Sequence, residues 1–378
     1  QELLRADTEE EVVELLSSAG FWNRAEYWIP YDRNENNYAV IGNQQASPDA
    51  ALLEKIVNSI DAMLMRECLR AGIDPESEDA PSSPSEAAER FFGVRNGSLA
   101  DMTREKRSAL AQNIQLFATG KRGDPSYVIA DLGEGQHPDR FGETFLSLSR
   151  SNKLRIPFVQ GRYNMGGAGV LRFCSPNHNL QLIVSRRDAV IAAAEGVLSP
   201  QWGFTIVRRV PPSGGMRNSQ YQYLAPGKQV MRFDASCLHA LPNSTGEPYV
   251  RPMKHGTLIK LYQYHLPAGL KTNIKLDLYY RLSTLLYAPA LPLRMIETRD
   301  YAAHTPDAVL SGLEVRIEED SQHNVAEDSQ HNAEDDSRHN VEWRFRYSQQ
   351  LTVMGEELRA DVIPFTSGGK QRLGGREG

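Results

Sequence analysis

Residues 47–72 read SPDAALLEKIVNSIDAMLMRECLRAG and admit one local structure, a long helix. Ser47 before Pro48 is a favourable opening, because the hydroxyl accepts a free backbone N–H and the proline has none to leave unpaired. Leu53, Ile56, Val57, Ile60, Met63 and Leu64 then recur at helical spacing to about Arg70, and Gly72 stops the run. Such a stripe must be buried against something broad. Strand-like segments follow in number: YVIAD (127–131), LQLIVSR (180–186), GFTIVRRV (203–210), QVMRF (229–233) and GTLIKLYQY (256–264), separated by Gly, Pro and Asn turns. A further helix near 274–286 feeds the strand LPLRMIETR. Helices first and consecutive strands afterwards predict an α+β fold, a sandwich of helices on a mostly antiparallel mixed sheet.

The flanks are less regular. Thr8 and Glu11 form a capping box ahead of Val12, Val13, Leu15 and Leu16, with Gly20 as the stop. Residues 21–46, rich in Asn, Tyr and Trp, read as a packed arm or an extended hairpin. DPESEDAPSSP (74–84) is a loop, and helical segments near 85–93 and 103–118 lead to the turn TGKRGDPS, so that 67–126 has the look of an insertion. Residues 318–341 are three near-copies of an eight-residue unit, EEDSQHNV, AEDSQHNA and EDDSRHNV. His323, His331 and His339 recur within it, which leaves open a metal site, but the composition favours a solvated loop. LEVRIE and VEWRFRY on either side are candidates for the two strands that it joins.

In 378 residues, 42 Lys and Arg stand against 48 Asp and Glu, and the net charge of -6 gives no global reason to expect nucleic acid or an anionic membrane as partner. The three cysteines, Cys68, Cys174 and Cys237, are far apart and lack CxxC spacing, against a disulfide framework or a zinc site. No apolar run approaches the roughly 20 residues that span a bilayer. The acidic start QELLRADTEEEVVELL is unlike an export signal, so a cytoplasmic setting is expected. The opening Gln1 and the Gly-rich ending SGGKQRLGGREG leave open that this sequence is part of a longer one.

Within the long helix, Glu54, Asn58 and Asp61 fall at i, i+4 and i+7 on one face. On spacing alone a solvated face accounts for them. The phrase Glu54-Lys-Ile-Val-Asn58-Ser-Ile-Asp61-Ala, however, resembles the first motif of the GHKL ATPases, the superfamily of gyrase, heat-shock chaperones, histidine kinases and mismatch-repair proteins. Three further elements follow in that family's order. Asp131-Leu-Gly133-Glu-Gly135 follows a strand; alone it is a Gly-rich turn. Gly161-Arg-Tyr-Asn164-Met-Gly166-Gly167-Ala-Gly169 reads as the opening of a helix whose free N–H groups cradle phosphates. Its register is open, because Asn164 stands where the family's first glycine is expected. Gly256-Thr257 heads an amphipathic strand.

The resemblance covers roughly residues 48–298, and its last helix and strand look like the end of the nucleotide domain in the ninety-kilodalton heat-shock chaperones. It implies the Bergerat ATP-binding fold, a two-layer sandwich, with ATP and Mg2+ as ligands. It assigns Glu54 to polarising the attacking water, Asn58 to magnesium, Asp131 to the adenine amino group and Thr257 to the adenine side through water. Asp61 is expected to orient its neighbours, Gly133 and Gly135 to let the backbone approach the base, and Asn164, Gly166, Gly167 and Gly169 to hold phosphates. Residues 137–160 stand where the family carries a mobile lid, and Lys153 there is either a phosphate contact or an exposed lysine.

The expected organisation is an N-terminal helix and arm (1–46), an ATP-binding domain (47–300) and a small, strand-rich part of a second domain (301–378). The expected activity is ATP hydrolysis driving lid closure and homodimerisation. The alternative is an ATP-sensing assembly module that does not hydrolyse. A histidine-kinase reading requires an upstream phosphorylatable histidine, yet no His precedes His137. Neither a protein client nor nucleic acid is legible.

Overall fold

The structure, a computed structural model, describes residues 1–148, 153–161, 166–212, 217–271, 273–299, 301, 307–319, 347–353 and 356–362. Two short N-terminal helices, α1 (Glu2–Arg5) and α2 (Glu9–Ser18), precede α3 (Asn37–Gly42) and the long α4 (Pro48–Arg70). Then come α5 (Pro84–Phe92), α6 (Arg104–Leu110), α7 (Ala189–Ala194) and α8 (Tyr279–Leu285). The first eight strands are β1 (Trp28–Pro30), β2 (Ile114–Lys121), β3 (Asp124–Asp131), β4 (Gln181–Arg186), β5 (Trp202–Val210), β6 (Gln220–Leu224), β7 (Met231–Phe233) and β8 (Leu238–Leu241). β9 (Arg251–Met253), β10 (Gly256–Leu261), β11 (Leu293–Glu297) and β12 (Ala308–Leu310) complete the body.

One large sheet runs β1-β6-β5-β4-β10-β3-β2-β11-β12, with β7 added beside β5. The β2–β11 pair is parallel and the other pairs in it are antiparallel, so the fold is the α+β arrangement expected. The period-2 alternation of the strands sorts its two faces. Leu116, Tyr127, Ile129, Leu293 and Met295 pack with Leu52, Ile56, Ile60, Met63 and Leu64 of α4 and with Leu282 of α8. Phe117, Val128, Ala130, Leu182, Val184, Leu258 and Ile296 face the other way, onto Leu4, Val12 and Leu16 and onto the separate β8–β9 hairpin. At roughly 1.5–3 kcal/mol for each fully buried large side chain, the α4 stripe is a main contributor to the fold.

The caps form as the residues dictate. Thr8 and Glu11 make both halves of the capping box, and the Ser47 hydroxyl accepts from Ala50 N–H. The arm at 21–46 gives no hairpin; it supplies the edge strand β1 and then α3. Tyr31 from it is buried, donates its hydroxyl to Phe145 O at 2.5 Å, and the Asp32 N–H reaches Leu146 O at 2.9 Å. The arm therefore holds down the segment 141–148.

Three expectations are corrected. The helix over 103–118 ends at Leu110, and Ile114–Lys121 is instead β2, buried on both faces for most of its length and paired with β3 through a two-residue turn at Arg122 and Gly123. The segment read as an insertion thus supplies a sheet strand. LEVRIE is not a strand: 313–319 is helical, and Val315 and Ile317 are buried. The Gly161–Gly169 stretch does not open an α-helix where it is described; Gly166–Ala168 and Leu171–Phe173 are single 3-10 turns.

Past residue 300, β12 still pairs with β11, while β13 (Tyr347–Val353) and β14 (Glu356–Val362) make a hairpin of their own. Positions 320–346, with the three repeat histidines and most of VEWRFRY, lie outside the described residues, as does Asn164. Among the described residues no helix is long and apolar enough to cross a membrane.

Candidate functional site

One face of α4 looks into a cavity. Lys55, Asn58, Ser59, Ala62 and Met65 line it, at i, i+3, i+4, i+7 and i+10 of the helix. Opposite stand the end of β3 with Asp131 and the start of β10 with Thr257 and Ile259, residues that the register pairs directly, Thr257 with Asp131. The rim carries Glu134, Gly135 and Gln136, Thr144 and Phe145, Lys153 and Gly167. Sequence elements far apart in the chain, the helix phrase at 54–62, the DxGxG turn, Lys153, Gly167 and the Gly-Thr strand, thus share one concave site.

Asp131 is the chemical centre of the inner wall. It is buried, and burial raises its carboxyl to about 7, against the opposing pull of hydrogen bonds from the Gly133 N–H, the Ser59 hydroxyl and the Thr257 N–H. Gly133 N–H reaches its Oδ1 at 3.0 Å. The group is therefore half ionised near neutrality, and above that it is an acceptor in a dry setting. Thr257 is buried beside it, with its hydroxyl 3.0 Å from Ser185 Oγ, which also donates to Gly256 O at 2.9 Å.

The glycines of the turn have steric reasons to be glycine. A Cβ on Gly133 would stand 2.6 Å from the Ala62 Cβ, and Glu134 N–H donates to Ala62 O at 3.1 Å, so the turn lies directly on α4 where the helix carries its smallest side chain. Gly135 has φ +60°, and a Cβ there would meet Arg186 O at 1.8 Å. Gly135→Ala is expected to lower stability by about 2–4 kcal/mol, seen as a fall in the urea midpoint at unchanged slope, because backbone strain and a backbone clash add. A midpoint equal to wild type would show that the turn is not held this closely.

Asp61 ties α4 to residues 160 and 161. It is fully buried, accepts Gln160 N–H at 2.9 Å on Oδ1 and Gly161 N–H at 2.8 Å on Oδ2, and has Lys153 Nζ at 3.7 Å. Lys153 is thus brought to the cavity and is no free surface lysine. Asn58 looks at the same place: a Cβ on Gly161 would come within 2.5 Å of its Oδ1. Gly167 lies near the Lys55 and Asn58 side chains, and Gly169 is buried.

Glu54 is not among the described residues that line the cavity. It is half-buried one helical turn before Asn58, and its Oε2 accepts from Gln45 Nε2 at 3.0 Å. Ser59, Ala62, Ser185 and Lys55 are not among the residues that the sequence singles out. All but Ser185 sit inside the quoted motif, and the side of α4 that faces the cavity, once known, selects them by spacing. Ser185 is a serine in an apolar strand and carried no such signal.

No protein-family model matches the chain, and no curated protein is significantly similar to it.

Proposed function

We propose that the cavity between α4 and the β3–β10 wall binds ATP with magnesium, as in the GHKL ATPases, and that the chain hydrolyses it. Asp131 carries the reading. A buried carboxylate beside a glycine turn suits a flat base that donates a hydrogen bond, and the resemblance to the GHKL ATPases makes that base adenine, through its amino group. The Thr257 hydroxyl stands on the adjoining strand, and Lys55, Lys153 and Gly167 line the same cavity, where they would meet the charge of the phosphates.

Among the described residues no set of three His, Cys, Asp or Glu is arranged to hold a metal. That fits magnesium brought by phosphates, which needs few protein ligands and here would take the Asn58 amide oxygen, across from a glycine that leaves it room. When bound, magnesium neutralises phosphate charge. Glu54 accepts the proton of the attacking water as the water oxygen bonds to the terminal phosphorus and the bridging P–O bond breaks, giving ADP and phosphate. Residues 137–160, pinned at one end by Asp61 and carrying Lys153, close over the nucleotide and favour association of two copies. A second reading, ATP sensing without hydrolysis, is favoured by Glu54 standing off the cavity wall in contact with Gln45.

Calorimetric titration at pH 8, where Asp131 is ionised, tests the base. MgATP is expected to bind roughly 100-fold more tightly than MgGTP, because the guanine keto oxygen would face a carboxylate with no proton between them. Equal affinities would overturn the assignment. The preference should narrow below pH 7, where the protonated acid can donate to the keto group.

A further inference from the structure

Lys55 follows the first motif's glutamate and has no role in the resemblance. It is 8 % exposed, yet its side chain reaches the cavity, and a Cβ on Gly167 would lie 3.6 Å from its Nζ. Among the described residues it makes no hydrogen bond or ion pair, whereas Lys153 has Asp61 and the buried Lys260 has Asp7 and Leu4 O. Burying an ammonium without a partner is costly, and desolvation accordingly holds Lys55 at about 8, a neighbouring Glu54 carboxylate only partly offsetting it. An unpaired cation against a glycine turn in a cleft is an arrangement completed by an anion.

We propose that Lys55 is a phosphate-binding residue of this cavity, its ammonium engaging the anionic chain of the nucleotide at the Gly167 turn, so that the site selects nucleoside polyphosphates over nucleosides. The inference rests on the nucleotide reading for its ligand, but the anion site itself does not need the base.

Lys55→Met and wild type are compared by calorimetry with adenosine, MgADP, MgATP and inorganic tripolyphosphate. The variant is expected to lose roughly 10- to 100-fold in affinity for MgATP and for tripolyphosphate while adenosine stays within about two-fold. Unchanged MgATP and tripolyphosphate binding would overturn the proposal and leave Lys55 as a packing residue. Tripolyphosphate binding that depends on Lys55, with no binding of adenosine or selectivity for ATP, would support the anion site and refute the adenine reading.

Wild type gives an independent readout that does not require the variant to fold. The groups around Lys55 are Glu54 on its own helix, Cys174 behind it, and Lys153, Asp131 and Glu134 on the cavity walls. Burial pushes the Cys174 thiol far above its usual range, and Asp131 titrates on the acid side, at about 7. Affinity for MgATP is therefore expected to fall as pH rises beyond about 8, approaching tenfold per pH unit, while affinity for adenosine stays level. Parallel profiles for the two ligands would overturn the assignment.

Discussion

Glu54→Ala is expected to lower the rate of ATP hydrolysis by roughly 10²- to 10⁴-fold and to leave MgATP affinity within about two-fold. The split follows from its position. Glu54 is not among the described residues that line the cavity, so its removal takes little from binding, but it stands one turn from Asn58, the residue proposed to meet magnesium. The Gln45 contact at 3.0 Å orients the carboxylate, and Gln45→Ala should produce a smaller loss of the same kind. Single-turnover assays with excess enzyme decide the matter. Full activity in Glu54→Ala would remove it as the base, and a wild type that releases no phosphate above the blank would favour the sensing module.

Asp131→Asn is expected to act in opposite directions on function and stability. MgATP affinity should fall by roughly 10- to 100-fold, because the acceptor of a charge-assisted hydrogen bond is replaced by a neutral amide. The ligand-free protein should meanwhile hold or gain stability above pH 7. The sign follows from linkage: the folded carboxyl is raised to about 7 from 3.8, so the folded state keeps a proton that the unfolded state has released. The contribution of this group is full below about 4 and is lost as pH rises through 7. It amounts to a few kcal/mol at most, on the scale of about 1.4 kcal/mol per pH unit. Thermal melts of both proteins from pH 5 to 8 should therefore converge in acid and separate in base. A variant less stable than wild type at pH 8 would contradict the account.

Much of the body was legible because local signals and tertiary demands agree. Ser47-Pro48 starts α4, the Thr8–Glu11 box starts α2, and the β3, β4, β5 and β10 cores were visible as short apolar runs. β2 was not, because Leu110, Ala111, Ile114 and Phe117 sustain helical spacing past the true end of α6; its pairing with β3 and β11 overrides that spacing. LEVRIE fails in the reverse direction. Its period of two suggests a strand, yet Val315 and Ile317 are buried from a helix that packs near α8. At the site, Asn58, Asp131 and Thr257 could be named in advance, and Lys55 could not. A lysine's partner, or its lack of one, is a property of the packed neighbourhood and leaves no trace in spacing.

β10 bears on the order in which the molecule can be completed. Thr257 and Ile259 face the cavity, while Lys260 from the same strand turns to the other side and donates to Leu4 O at 2.7 Å, across 256 positions of sequence. Tyr262 does the same for Leu3 O at 2.6 Å. During synthesis at about 5–20 residues per second, the first helices would wait some 10–50 s for these partners, with Val12 and Leu16 uncovered in the meantime. Closing the far face of the sheet and building the inner wall of the cavity are thus one late event on the ribosome, and agents that shield nascent apolar segments should matter most before β10 emerges.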